Sequence, residues 1–125
     1  MKPKFKNSLA WQQAELLMQP SLIRLLDNIR KYLEASEWEG TYENVQTPIP
    51  GYHLCLKNGK NEVKFDLWEL CYQICFLKYT STHAEAETKE VEIDTSLIDE
   101  EGEVNWNKLE VKAKQVVQDM FSSLG

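Results

Sequence analysis

Residues 68–79 read Trp68-Glu-Leu-Cys-Tyr-Gln-Ile-Cys-Phe-Leu-Lys-Tyr79, and the fold turns on whether this tract is a strand or a helix. As a strand, Trp68, Leu70, Tyr72, Ile74 and Phe76 alternate with Glu69, Cys71, Gln73 and Cys75. As a helix, it has a capping box at hand in Asp66 and Glu69. The aromatic and cysteine content favours the strand, with a bulge where the apolar phase slips between Leu67 and Trp68. A hairpin precedes it. Tyr52, Leu54 and Leu56 alternate with His53, Cys55 and Lys57, Asn58-Gly59 forms a turn that tolerates positive φ, and Val63, Phe65 and Leu67 resume the alternation. Upstream, Thr41 to Thr47 alternates as a strand that the rigid Pro48-Ile-Pro-Gly51 ends. Downstream, past the polar turn Thr80 to Glu87, Thr88 to Asp94 alternates again and is expected to pair back on 68–79.

Helices flank this β region. Asn7 or Ser8 can cap a helix with Trp11, Ala14, Leu17 and Met18 on its apolar face. Pro20 removes a donor there, so 8–35 reads either as two short helices or as one kinked helix, with Leu22, Leu25, Leu26, Ile29 and Leu33 continuing the period. Asn105 caps a C-terminal helix whose stripe is Leu109, Ala113, Val116, Val117, Met120, Phe121 and Leu124, with Lys108, Lys112 and Lys114 outside it. The expected fold is therefore α+β: an antiparallel meander of four to five strands, flanked by an N-terminal helix or helix pair and a C-terminal helix. Residues 1–7 read as a flexible basic tail (Lys2, Lys4, Lys6) and 8–125 as one domain, as 125 residues suffice for one core.

The formal charge of −6 is unevenly spread. Residues 1–60 carry 8 basic and 6 acidic side chains, and residues 61–125 carry 6 and 14. Nine acids lie between Glu85 and Glu103 against the single Lys89. Nucleic acid is excluded as a partner by this balance, because phosphate neutralisation needs clustered Lys and Arg. A solvated strand edge and loop, whose like charges deter edge-to-edge aggregation, is the simpler reading of the acidic run, and a docking surface for a partner with a basic surface is the functional one. The candidate partner-binding residues are Glu90, Glu92, Asp94, Asp99, Glu100 and Glu101, with Trp38 and Tyr42 as aromatic anchors. Asp99-Glu-Glu-Gly-Glu103 lacks the spacing of a calcium loop.

No apolar run is long enough to span a membrane, no secretory signal is visible, and three cysteines without a scaffold spacing fit a reducing cytoplasm. Cys71 and Cys75, four residues apart, together with His53 are the alternative site, as zinc ligands or as a reactive thiol pair; buried core cysteines are the simpler reading. His83 reads as a loop residue. No nucleotide-binding, nucleophile-elbow or zinc-protease motif occurs, and no cofactor is expected.

The runs Phe65–Phe76 and Val91–Trp106 resemble segments of a small uncharacterised protein family from cyanobacteria. That resemblance implies a cytoplasmic location in a photosynthetic bacterium and carries no activity or ligand. The element order and acidity are also similar to type III secretion chaperone-like domains, in which a helix-flanked sheet binds other proteins. The functional expectation is a non-enzymatic protein-interaction module, adaptor-like or assembly-chaperone-like. A thiol- or metal-dependent enzyme or sensor is the alternative, and a homodimer through a sheet edge or a helix face is a further option.

Overall fold

The computed structural model describes residues 2–45, 51–77, 79 and 88–124. Its elements in chain order are β1 (Lys2–Phe5), α1 (Ser8–Glu34), β2 (Glu39–Val45), β3 (Gly51–Asn58), β4 (Asn61–Asp66), α2 (Leu67–Cys75), β5 (Thr88–Val91), a 3-10 turn (Thr95–Leu97) and α3 (Trp106–Ser122). The α+β class stands, but among the described residues the strands form two separate sheets. One is antiparallel, in the order β2-β3-β4, and the other is a parallel pair of β1 and β5. A meander of four to five strands is not what forms.

The tract that decided the expected fold is a helix. Asp66 ends β4 and turns the chain, its side chain accepting a 2.9 Å hydrogen bond from the Trp68 amide. From there Leu67, Leu70, Cys71, Ile74 and Cys75 are buried. Their spacing of 3, 1, 3 and 1 places them on one helical face, whereas the alternating set would have put half-exposed Trp68 and buried Ile74 on the same side. Helical burial thus hides five apolar side chains where the strand would have hidden a mixed row.

The hairpin before it forms as expected, with its turn shifted by one residue. Asn58 pairs with Asn61, so the two-residue loop is Gly59-Lys60, and Gly59 takes the positive φ of 60°. Within the sheet, Leu54 opposes Phe65 and Leu56 opposes Val63. The Leu54 and Leu56 side chains join the helical core, while His53, Cys55 and Lys57 alternate to the other face. Gly40 of β2 opposes Leu56, and a Cβ at Gly40 would come within 2.7 Å of the Leu33 Cδ1. Glycine there lets the sheet edge close on the end of α1.

α1 is one continuous helix from Ser8 to Glu34, with Pro20 inside it and Asn7 as its cap; the Asn7 side chain accepts from the Ala10 amide at 2.9 Å. It packs against α2 and α3, and α2 also rests on β3 and β4. Tyr32 of α1 stacks on Phe121 of α3 at 4.1 Å between ring centres. Asn28 donates to Glu110 across the same helix pair at 2.9 Å, and the Arg24 guanidinium lies 5.0 Å from the Trp106 ring centre. The C-terminal helix keeps the expected cap and stripe, Asn105 accepting from the Lys108 amide at 3.2 Å.

Residues 1–7, expected as a tail, contain β1. Lys2 to Phe5 pair in parallel with Thr88 to Val91, and the Phe5 ring meets Phe76 edge-on at 6.1 Å. The expected return of 88–94 onto the preceding tract is realised only at its end. Phe76 bridges antiparallel to Ile93, with the Leu77 amide on the Glu92 carbonyl (2.8 Å) and the Asp94 amide on the Cys75 carbonyl (2.9 Å). The end of the 41–47 strand, the Pro48–Pro50 turn and the whole 80–87 turn with His83 lie outside the described residues.

Candidate functional site

The acidic candidates do not share one situation. Glu90 and Glu92 are exposed, on β5 and just after it. Asp94 is buried: its carboxylate takes a 2.7 Å ion pair from the Lys112 ammonium and caps the 3-10 turn through the Ser96 amide at 3.1 Å. Burial alone would raise its pKa, yet the bonds from Lys112 and Ser96 outweigh that and hold the carboxyl below its ordinary value. Lys112, expected on the outer face of α3, is accordingly drawn inward, where it also reaches the Phe76 carbonyl. Asp99 shapes its own loop by accepting from the Glu101 and Glu103 amides, each at 2.9 Å, while Gly102 supplies a φ of 82° and Ile98 bridges to Val104. Glu100, Glu101 and Glu103 are left exposed on that loop.

The two aromatic candidates sit elsewhere. Trp38 is half-buried against the core between α1 and β2. Tyr42 of β2 is exposed and lies 5.8 Å from Tyr52 across the strand pair.

Cys71 and Cys75 share the buried face of α2 as free thiols. The Cys75 sulfur lies 3.1 Å from the Ser21 hydroxyl of α1. Burial pushes the Cys71 thiol far up, and it pushes Cys75 up to about 11, with the Ser21 bond pulling the other way. His53 lies on the sheet face turned away from them. Among the described residues no group of three or more His, Cys, Asp or Glu side chains is arranged to hold a metal ion. The structure therefore does not bring Cys71, Cys75 and His53 together.

One concavity with an aromatic lining was not marked by the sequence. It is a groove of about 500 Å³ between β1, α1 and α2, lined by Phe5, Trp11, Met18, Leu22, Trp68 and Tyr72 above a floor that includes Phe76. Its volume lies within the range of ligand pockets. Trp11 and Trp68 remain 49% and 37% exposed, and among the described residues Glu15 is the one charged residue in the lining. Tyr72 stacks on Phe76 at 5.3 Å, and Tyr79 packs edge-on to Tyr72 at 5.8 Å. The Tyr79 hydroxyl is hydrogen-bonded to the Glu69 carboxylate, and burial together with that carboxylate drives the phenol pKa upward. Trp68 and Tyr72 face this groove only because 67–75 is helical. On the other flank of α1, a second groove of about 550 Å³ joins Glu90 and Glu92 to the exposed Leu9 and Leu77.

No described helix is long and apolar enough to cross a membrane. No protein-family model, curated protein or solved structure matches the chain.

Proposed function

We propose that the chain is a non-enzymatic protein-interaction module that takes an apolar, basic-flanked segment of a protein partner into the aromatic groove between α1 and α2. The observation that carries this reading is the pair of half-exposed tryptophans, Trp11 and Trp68, facing one groove whose single charged residue, among the described residues, is Glu15. Tryptophan is enriched among interface hot spots because it buries a large surface at small conformational cost. Glu15, with Glu90 and Glu92 on the far flank of α1, favours a partner bearing Lys or Arg beside its apolar anchors. Asp94 drops out of the partner-binding set because its carboxylate is buried and paired.

The test is a titration with synthetic peptides that carry Leu and Phe anchors between lysine flanks, beside the same peptides with glutamate flanks, read by tryptophan emission. The lysine-flanked peptides are expected to bind, more weakly at high salt, and Trp68→Ala is expected to cost at least tenfold in affinity. Equal binding of the glutamate-flanked peptides, or an affinity untouched by Trp68→Ala, overturns the reading.

A further inference from the structure

Apart from Phe5 and Phe76, the described residues that line the aromatic groove belong to α1 and α2. On α1, Trp11, Glu15, Met18 and Leu22 recur at spacings of four, three and four, about 17 Å along one side of the helix. On α2, Trp68 and Tyr72 stand one turn apart. Both walls are therefore rows of side chains. The amides and carbonyls behind them are spent on bonds within each helix, and at the start of α2 the Asp66 carboxylate takes the Trp68 amide. The carbonyl that Pro20 releases in α1 belongs to Leu16, which is not part of the lining. The strand edge at hand is β1, which pairs with β5 on one side. It is four residues long, Pro3 within it has no amide hydrogen, and among the described residues Phe5 is its one contribution to the lining.

A segment seated in such a groove gives up the water on its own backbone and meets few main-chain groups to replace it, so an extended chain would leave amides and carbonyls unpaired. Given the groove's role in taking a partner segment, we infer that the segment docks as an amphipathic α-helix, the third beside α1 and α2. A helix brings its main-chain bonds with it. Its anchors recur at i, i+4 and i+7, a span of about 11 Å that fits between Trp11 and Leu22. Glu15 fixes where the partner's charge belongs. It stands one turn from Trp11 and one turn from Gln19, is exposed, and forms no ion pair among the described residues. A lysine one turn from the central anchor meets that carboxylate at the rim, where the docked helix returns to water.

Two tryptophan-free synthetic peptides of equal composition test the conformation on the full chain. One carries Leu and Phe anchors at i, i+4 and i+7, the other at i, i+2 and i+4, and each has a lysine beside its central anchor. Tryptophan emission reads affinity, and 13Cα shifts of the labelled peptide read its bound backbone. The helix-patterned peptide is expected to bind at least about tenfold tighter, to lose about tenfold when a central non-anchor residue becomes proline, and to show helical shifts when bound. Glu15→Lys is expected to weaken it about threefold or more, with affinity restored by glutamate in place of the peptide's lysine. Equal or tighter binding of the strand-patterned peptide, proline tolerated without loss, or extended shifts overturns the helical partner, and an affinity unmoved by Glu15→Lys overturns the place of its lysine. Where the strand-patterned peptide binds and Trp68→Ala still weakens it, the groove keeps its role and only the helix is lost. Where neither peptide binds, both fall together.

Discussion

Asp94 and Lys112 meet because Asp94 stands at the one point where the Cys75–Phe76 backbone, the 3-10 turn and α3 come together. The Asp94 carboxylate has a folded-state pKa held below its ordinary value of 3.8, burial opposing and the Lys112 and Ser96 bonds prevailing. A depressed acid stabilises the fold above its unfolded pKa, and that contribution fades as pH falls through the folded value. Asp94→Asn is therefore expected to cost about 2 kcal/mol at pH 7, less than a fully buried pair because Lys112 still reaches water. The gap to the parent protein is expected to close as pH is lowered below about 4. Urea unfolding of both proteins at pH 7 and pH 3 checks it, and a gap of equal size at both values would refute the linkage. In the sequence, Asp94 was one of nine similar acids. Only the position of α3 distinguishes it, since an acid and a lysine 18 residues apart share no local geometry.

Elements were legible where a local signal had a single meaning. Asn105 before the 109–124 stripe, Asn7 before α1 and the Asn58-Gly59 pair each select a backbone state within a few residues, and each marks an element boundary in the structure. Residues 67–75 carried two signals, a strand-like composition and a helix cap at Asp66, and the buried face of α2 decided between them. Pro20 is the corresponding ambiguity in α1. Lacking an amide proton, it leaves the Leu16 carbonyl without its helical donor, yet the helix runs through. Packing of α1 against α2 and α3 offsets that cost. Pro20→Ala is expected to stabilise the protein by about 2 kcal/mol, the restored bond and relieved ring clash exceeding the entropy that alanine returns to the unfolded chain. A rise in Tm by differential scanning calorimetry checks this, and a fall would mean that proline is favoured there by its own packing.

At the scale of the molecule, the N-terminus is tied to residues 88–91 through a parallel ladder and through Phe5 on Phe76. This junction forms one wall of the aromatic groove, so the first residues of the chain contribute to the site. Phe5→Ala is expected to destabilise by about 2 kcal/mol, below the value for a fully buried ring because Phe5 is only half-covered. Equilibrium urea unfolding measures it. A change within a few tenths of a kcal/mol would mean that β1 adds little to the fold.

Capping residues, helical stripes and the hairpin alternation act between neighbours a few residues apart, so the sequence alone determined β3, β4 and α3, the helical character of 8–35 though not its continuity through Pro20, and the acidity of the second half. Which acids stay in water, whether 67–75 pleats or coils, and where two tryptophans line one groove depend on burial summed over segments far apart in the chain. The ladder joining residues 2–5 to 88–91 has no local signature, because its stability comes from the core it closes rather than from the residues it pairs. Tertiary packing decided those features, and with them the surface to which binding is assigned.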